Sequence, residues 1–485
     1  MSNNSHIQKV SVGRRNVLKT ITAGSTGFAL GSFNITGCSK AESNESLKAG
    51  FARVKITSPI GTAMTGFGAR DYDPCGCKDV HDDIFARALY LSKGNREALI
   101  MGFDLLFFSR DETDRFKGAV GRKIDLLPSQ ILLNTSHTHT GPKVGTWFYT
   151  PSDRYYLQFL ENAIVQAAIS AKNSARDVTI RKGVTRTKLP MSRRKRLPNG
   201  LVDFAPNPNG DVCDTLPITL LKDKQDKPVC LMFAVSCHPS TVKGVDRSYC
   251  ISADYPGTAM AALDDYLGTH VSLFLQGAGG DSKASVIGKG EEQWRAGTWD
   301  DVDRAGAMVA EEIIPVLESG LAEVKPELVT TSIEMEWPLV KPFSRAEYED
   351  IVKNPNAHSE SMPEVMRTWA KEQIHLLDRG YNLPTKVPIA AHGIYLGEGL
   401  RMVGIEGELV GELGNLIEQF YGGGVTYAMG YTDGTQMYLP TSNMLDEGGY
   451  EVESYWEYRQ PAPLAKGHEK ILTATLEHLR QHGIV

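Results

Sequence analysis

The sequence predicts an α/β fold with mixed β-sheets flanked by helices. Short apolar runs of strand length alternate along the chain with longer segments of helical spacing, and the apolar runs stop at glycines or polar residues. Alternation of this kind is typical of a domain in which helices cover the sheets. We therefore expect most of the sheet surface to be buried.

The predicted elements can be given in chain order. Strands are expected at 98–103, 131–133, 229–235, 271–275, 402–405 and 425–429, and helices at 157–171, from beyond Glu408 to Phe420, and at 469–481. Each expected strand is a short apolar run, whereas 157–171 repeats its apolar residues at helical spacing.

The composition is that of an ordinary globular protein. Of the 485 residues, 41% are hydrophobic and 23% are charged, and the net charge is −6. No basic stripe indicates a nucleic-acid partner, and beyond the N-terminus no apolar run is long enough to span a membrane. We expect one large domain or two fused lobes. Six cysteines follow Cys38, an even number that permits disulfides without fixing their pairing.

The N-terminal residues are predicted to be an export signal. Residues 11–19 (SVGRRNVLK) contain a twin-arginine pattern, and 35–38 (ITGC) resemble the lipobox of bacterial lipoproteins. We expect residues 1–37 to be removed, Cys38 to carry a lipid anchor, and 38–48 to form a tether. The protein would then be a periplasmic or cell-envelope lipoprotein, held to the membrane through Cys38. The alternative is an ordinary signal peptide with a chance cysteine.

Polar residues cluster where the apolar runs stop. They are Asp104, His137, His139, His238, Asp281 and Glu408. In open α/β sheets the carboxyl ends of the strands form the ligand crevice, so these side chains are expected to converge on one cleft.

A His-x-His pair is the strongest candidate for a metal site. His137 and His139 directly follow the apolar run 131–133, and in an extended strand residues i and i+2 point to the same face. Neutral imidazole is a good zinc ligand. The alternatives are a turn with two exposed histidines, a capped strand end at His238, and an acidic first helical turn at Glu408. The joint occurrence of these residues favours a metal site.

With these motifs, the chain resembles the catalytic domain of the neutral, non-lysosomal ceramidases. The resemblance runs from 50–59 (GFARVKITSP) to the C-terminus and includes 80–88 (VHDDIFARA), 137–142 (HTHTGP) and 233–239 (FAVSCHP). The His-Thr-His signature followed by His-Pro is its specific part. It implies a ceramidase-like catalytic domain over 49–485, without the C-terminal domain of full-length ceramidases.

The resemblance implies a zinc site with four ligands from the chain. Carried over from the family motifs, the ligands are His137, His238, Glu408 and Tyr438. Tyr438 is chosen because the family spaces its tyrosine ligand eight residues after a glycine that ends a strand, here Gly430. Glu406 is the alternative for Glu408, and Tyr431 is the alternative for Tyr438.

The resemblance also implies three catalytic residues. Tyr450 matches the family tyrosine that follows the ligand tyrosine, and we expect it to donate to the oxyanion. His139 is expected to act as a second donor or as a proton shuttle to the leaving amine. Arg193 matches a substrate-contacting arginine, with Arg194 as the alternative.

One departure from the family bears on the substrate. Lys283 stands where ceramidases carry a serine.

The function that we expect is zinc-dependent hydrolysis of a linear amide, in an N-acyl lipid, an N-acyl amino acid or an N-acylated sugar. The alternatives are a lipid-anchored binding protein without turnover, which Lys283 favours, and a metal hydrolase acting on esters or glycosidic bonds. The oligomeric state is left open.

Overall fold

The computed structural model describes residues 45–71, 75–145, 153–244, 246–290, 292–359 and 362–485. The predicted signal peptide 1–37 and Cys38 lie outside the described residues. Glu45–Val485 form one compact unit, in which Leu47 is buried and the first strand begins at Lys48. The last residues of the predicted tether therefore belong to the folded unit. No helix among the described residues is long and apolar enough to cross a membrane.

The strands are short, and most are buried. In chain order they are β1 (Lys48–Lys55), β2 (Asp79–Val80), β3 (Phe85–Lys93), β4 (Arg96–Phe103), β5 (Ile131–Thr135), β6 (Arg176–Arg186), β7 (Pro190–Arg196), β8 (Val202–Asn207), β9 (Thr215–Asp223), β10 (Pro228–Val235), β11 (Cys250–Ile251), β12 (Ser272–Gln276), β13 (Ser282–Ala284), β14 (Gly288–Lys289), β15 (Gln293–Trp294), β16 (Ala322–Val324), β17 (Val329–Pro338), β18 (Lys386–Gly397), β19 (Leu400–Ile405), β20 (Glu408–Leu409), β21 (Val425–Met429) and β22 (Tyr438–Leu439).

Most helices lie between these strands in the sequence, and the last three follow β22. The helices are α1 (Gly68–Asp71), α2 (Arg110–Ile124), α3 (Arg154–Asn173), α4 (Tyr255–Leu267), α5 (Trp299–Ser319), α6 (Arg345–Lys353), α7 (Pro363–Asp378), α8 (Gly411–Tyr421), α9 (Met444–Glu447), α10 (Tyr450–Glu453) and α11 (His468–Gln481). Every strand and helix predicted from the sequence is present, and the predicted α/β class with mixed sheets is confirmed.

Two mixed sheets carry the fold. The larger has the strand order β12-β10-β9-β6-β1-β3-β4-β5, with β16 added beside β6, and the smaller has the order β17-β18-β19-β21. Most neighbouring strands are antiparallel, but β4 and β5, β10 and β12, and β19 and β21 run parallel. Each parallel pair brings two carboxyl ends to the same edge of its sheet.

Helices cover the outer faces of both sheets, as the apolar periodicity predicts. On β4, Leu99 and Met101 face the core beneath α2 and α3, whereas Ile100 faces the second core between the two sheets. Helices α4 and α5 cover β9, β10 and β12, and α8 and α11 cover the smaller sheet. Burial on both faces explains why these strands are continuous apolar runs rather than alternating ones.

The buried side chain of Asn134 joins three strand ends. Its carbonyl oxygen accepts from the amide of Gln276 at 2.7 Å, and its amide nitrogen donates to the carbonyl oxygen of Gly430 at 2.9 Å. An asparagine side chain offers both donors and an acceptor, so one residue can satisfy the ends of several strands. The carboxyl ends of β5, β12 and β21 therefore meet in one place.

Candidate metal centre and active site

The His-x-His pair lies in a turn and not on a strand. Strand β5 ends at Thr135, and His137 has a left-handed backbone conformation with φ of 67°. The amide of His137 donates to the carbonyl oxygen of Leu105 at 2.9 Å, so the chain follows the loop after β4 instead of continuing the strand. The prediction that His137 and His139 sit in an extended strand is therefore wrong. Their ring centroids are nevertheless only 4.9 Å apart, because the turn brings both side chains inward.

A third histidine, at the end of β10, completes a cluster. The ring centroid of His238 lies 4.7 Å from that of His137 and 5.6 Å from that of His139. One ring nitrogen from each of the three histidines lies within 4.8 Å of the others. Neutral imidazoles gathered in this way can hold a metal ion.

Main-chain carbonyl groups orient all three imidazoles. The Nδ1 atom of His137 lies 3.0 Å from the carbonyl oxygen of Leu106, that of His139 lies 2.5 Å from the carbonyl oxygen of Gly66, and that of His238 lies 2.6 Å from the carbonyl oxygen of Gly279. A carbonyl oxygen can only accept, so each Nδ1 carries a proton and each Nε2 of a neutral ring presents its lone pair to the cluster. This is the arrangement in which metal-binding histidines are found.

A buried carboxylate faces two of these nitrogens. Atom Oε2 of Glu408 lies 3.3 Å from Nε2 of His137 and 3.3 Å from Nε2 of His238. Two ring lone pairs and a carboxylate oxygen are all acceptors, so they can share such a space stably only around a cation. The donor set therefore fits a metal ion.

The electrostatics keep two of the rings neutral. Burial, together with the positive charge of Arg193, lowers the pKa of His238 to about 3. Burial, together with the neighbouring His137 and His238, lowers the pKa of His139 well below its usual range. The Nε2 atoms of His137 and His139 are buried and have no hydrogen-bond partner among the described residues. These two nitrogens are buried polar atoms that need a partner, which a bound cation would supply.

The phenol of Tyr438 lies beside the histidines. Parallel pairing of β20 with β22 sets Tyr438 opposite Glu408, and its hydroxyl lies 3.3 Å from Nε2 of His238. Atom Nη2 of Arg193 donates to the same hydroxyl at 3.1 Å. Burial raises the pKa of Tyr438 well above its usual range, while Arg193 opposes that rise because its charge stabilises a phenolate. The structure thus brings together His137, His238, Glu408 and Tyr438.

A buried carboxylate separates the roles of the two arginines. Glu451 accepts from Nε of Arg193 at 2.7 Å through one oxygen and from Nη1 of Arg194 at 2.6 Å through the other. Arg193 points from there to Tyr438, whereas Arg194 also donates to the carbonyl oxygen of Gly448 at 2.9 Å. Arg193 is therefore the arginine at the centre, and its contacts are with the tyrosine.

The alternative ligands occupy different positions. Both oxygens of Glu406 accept from Arg110, at 2.9 and 2.5 Å, so this carboxylate is committed to an ion pair. Tyr431 is nearer, since its hydroxyl donates to Glu408 at 3.3 Å and its ring centroid lies 4.4 Å from that of His137. Glu408 therefore lies at the cluster and Glu406 does not, while Tyr431 and Tyr438 both border it.

Two further tyrosines lie close by, one of which the sequence did not single out. The hydroxyl of Tyr450 donates to Glu457 at 2.9 Å, and its ring centroid lies 5.5 Å from that of Tyr438. The hydroxyl of Tyr458 donates directly to Oε1 of Glu408. No motif spacing marks Tyr458; a tyrosine-rich segment after 450 was the only available signal.

Two of the strand-end acids serve the framework. Asp104 accepts from Nη1 of Arg87 at 2.6 Å and from the amide of Phe85 at 2.8 Å, away from the histidines. Asp281 accepts from the amide of Gly411 at 2.8 Å, which fixes the start of α8. Burial raises the pKa of Asp281 to about 7. The expected convergence of all strand-end acids on one cleft holds for Glu408 but not for the carboxylate of Asp104.

Lys283 lies beside His238. It pairs in a bridge with His238, and its ammonium donates to the hydroxyl of Ser240 at 2.8 Å. Burial, together with the positive charges of Arg193 and Lys243, lowers the pKa of Lys283 to about 7. Lys283 is therefore next to the cluster.

The chain has the fold of the neutral ceramidases. It is similar to the neutral ceramidase from Pseudomonas aeruginosa, at 14% identity over 91% of this chain and 76% of that chain, with a TM-score of 0.67. It is also similar to a ceramidase complexed with C2, at 13% identity over 90% and 76%, with a TM-score of 0.67. No protein-family model matches the chain, and no curated protein matches its sequence. The predicted resemblance is thus confirmed for the fold.

Proposed function

We propose that this chain is a zinc-dependent hydrolase that cleaves a linear amide bond in an N-acyl compound. The observation that carries the proposal is the buried acceptor set, in which Oε2 of Glu408 lies 3.3 Å from Nε2 of both His137 and His238. The neutral-ceramidase fold supports the same reaction class.

The proposed zinc ligands are His137, His238, Glu408 and Tyr438. Nitrogen and oxygen ligands of this kind suit zinc, and all four side chains are buried, two in the loops after β5 and β10 and two in β20 and β22. Zinc in such a site supplies a Lewis acid that polarises a carbonyl group and activates water. Arg193 supports Tyr438 as a ligand, because a guanidinium at 3.1 Å favours the phenolate.

The remaining residues of the proposed site handle protons and developing charge. The Nδ1–H of His139 donates to the carbonyl oxygen of Gly66, so its Nε2 can accept a proton but cannot donate one until it has done so. Of the two expected roles for His139, this favours the proton shuttle. Tyr450 is the proposed oxyanion donor, and a hydrogen bond of 2.9 Å to Glu457 orients its hydroxyl.

The reaction class can be tested on the purified, detergent-solubilised protein. We expect hydrolysis of an N-octanoyl amide, little hydrolysis of an aryl glycoside, loss of activity on removal of metal by a chelator, and recovery when zinc is added back. The physical reason is that an amide carbonyl needs Lewis-acid activation for water to attack it at neutral pH. Released amine and zinc content are the measurements. Activity that survives complete metal removal, or that is confined to esters or glycosides, would exclude the proposal.

We also propose that the chain is exported by the twin-arginine route as a lipoprotein. Replacing Cys38 with serine should move the protein from the detergent-extracted membrane fraction to the soluble envelope fraction, because firm anchoring needs more than one acyl chain and the serine variant carries none. Fractionation with quantitative blotting measures the shift. Cys250→Ser, which changes a cysteine of the folded unit, is the control and should stay with the membrane. Membrane retention of the Cys38→Ser protein would rule out the lipid anchor.

A further inference from the structure

A cavity of about 570 Å³ lies against the histidine cluster. The ring of Phe67 forms part of its wall and has its centroid 5.2 Å from that of His139. Ser240 and Lys283 form the adjoining wall, and the amide of Ser240 donates to the carbonyl oxygen of His238 at 2.9 Å. A molecule bound in this cavity would therefore lie next to the proposed reaction centre.

The charged groups on the cavity wall have one sign. Among the described lining residues, four are basic (Arg70, Lys243, Lys283 and Arg295), and none is acidic. The charge of Arg295 is balanced, since both of its terminal nitrogens bond to Asp301. Within the described residues neither Lys243 nor Lys283 forms an ion pair. Two lysine amines thus line the cavity, and among the described residues neither lies within ion-pair distance of a carboxylate.

The rest of the wall is apolar and aromatic. Each lysine lies near one aromatic ring. Nζ of Lys243 lies 5.8 Å from the ring centroid of Phe67, and Nζ of Lys283 lies 6.0 Å from that of Trp294. Ile287 and Phe204 extend the apolar surface. Ring faces favour cations and apolar groups but do not neutralise an ammonium charge, so an anion is the missing complement.

We propose that this cavity binds the anionic group of the substrate, which makes the substrate an N-acyl compound with a carboxylate a few bonds from the amide, such as an N-acyl amino acid. This inference rests on the proposed amide hydrolysis and narrows its substrate class. Lys283 would pair with the carboxylate next to the reacting amide, because its own hydrogen bond to Ser240 holds it on the wall shared with His238. Lys243, which is exposed, would attract the anion at the mouth of the cavity.

The test compares substrates of equal shape and different charge. With the wild-type holoenzyme, N-octanoylglycine should be cleaved with a kcat/KM about 10-fold or more above that of the neutral N-octanoylglycinamide, because a charge-assisted hydrogen bond is lost in the amide. An N-propylsuccinamate, with its carboxylate on the acyl side, shows which side of the amide the anion occupies. Equal kcat/KM values for all three compounds would overturn the inference while leaving amide hydrolysis standing.

Variants of the two lysines test whether the preference for the anionic substrate arises in this cavity. Lys283→Met should reduce the N-octanoylglycine preference to near unity, Lys283→Arg should retain most of it, and Lys243→Met should raise the KM for N-octanoylglycine alone. Lys353→Met, at the exposed end of α6, is the matched control and should change nothing. A preference that persists in both Lys283→Met and Lys243→Met would contradict the assignment, and the Lys243 variant keeps the test valid if Lys283→Met does not fold.

A binding measurement separates this inference from the proposed function. Thermal shift with N-octanoylglycine and N-octanoylglycinamide reports binding without turnover. Stabilisation by the anionic compound that is reduced in Lys283→Met supports the anion site. If that stabilisation is seen but no amide is cleaved, the proposed function is wrong and the anion site still stands. Equal stabilisation by both compounds, or by neither, overturns the anion site.

Discussion

Replacing His238 with alanine is expected to remove the bound zinc and with it all measurable amide hydrolysis. The change deletes a ring nitrogen that lies 3.3 Å from both Oε2 of Glu408 and the hydroxyl of Tyr438. Structural zinc sites hold their ion with about 10–16 kcal/mol shared among four ligands, so loss of one ligand should weaken zinc affinity by more than about 100-fold. His137→Ala should behave in the same way. Metal analysis of the dialysed protein and single-substrate kinetics measure both effects.

Variants at neighbouring residues provide the controls for metal loss. Tyr438→Phe should weaken zinc retention, because a phenyl ring has no oxygen to coordinate. Tyr450→Phe should keep its zinc and lose about 100- to 1000-fold in turnover number, the usual effect of removing one oxyanion donor. His139→Asn should also keep zinc and lose turnover. Full zinc occupancy in His238→Ala, or metal loss in Tyr450→Phe with retention in Tyr438→Phe, would show that the ligands are assigned wrongly.

Glu451→Gln is expected to cause the largest loss of stability among the conservative changes around the site. Glu451 balances two buried guanidinium groups, those of Arg193 and Arg194. Breaking one partner out of a buried ion pair costs about 3–5 kcal/mol, which for a folded unit of this size corresponds to roughly 3–5 °C in Tm. Calorimetry at neutral pH measures the shift.

The same carboxylate predicts a pH dependence. Burial alone would raise the pKa of Glu451, but Arg193 and Arg194 lower it below its usual range. Its contribution to stability is therefore present above the unfolded pKa of about 4.3 and is lost as the pH falls through the lower folded pKa. Glu451→Gln should remove that acid-dependent part of the Tm profile. Glu336→Gln, in the exposed pair with Lys386, is the control and should shift Tm by less than about 1 °C. Equal shifts in the two variants would disprove the role of Glu451.

Much of this architecture could be predicted from the sequence, because local patterns determine it. Apolar runs buried on both faces located the strands, and the points at which those runs end located His238 and Glu408. His137 and His139 were placed together for an incorrect reason: the prediction used strand geometry, whereas a left-handed turn at His137 brings the rings together. A turn of this kind depends on contacts with the loop after β4, which the local sequence does not encode.

Long-range pairing decided what the sequence left open. Asp104 and Glu406 follow strands as Glu408 does. Their carboxylates, however, form ion pairs with Arg87 and Arg110, which are distant in the sequence. Tyr458 contacts Glu408 across 50 residues of sequence, with no spacing rule to indicate it. The choice between Arg193 and Arg194 likewise depended on which side of Glu451 each one occupies.

The carbonyl groups that contact the Nδ1 atoms of the imidazoles affect which residues can change as the sequence diverges. Since Leu106, Gly66 and Gly279 hold the three rings through main-chain oxygens, no acidic or amide side chain has to be retained to fix the tautomers. What must be retained is the close approach of backbone: a Cβ at Gly66 would lie 2.8 Å from Cα of His139, and one at Gly279 would lie 2.8 Å from the amide nitrogen of Cys237. The histidine geometry therefore depends on how closely the backbone approaches, and not on the identity of polar neighbours. In remote relatives, two glycines packed against histidine-bearing turns should be a more lasting signature than any set of polar neighbours.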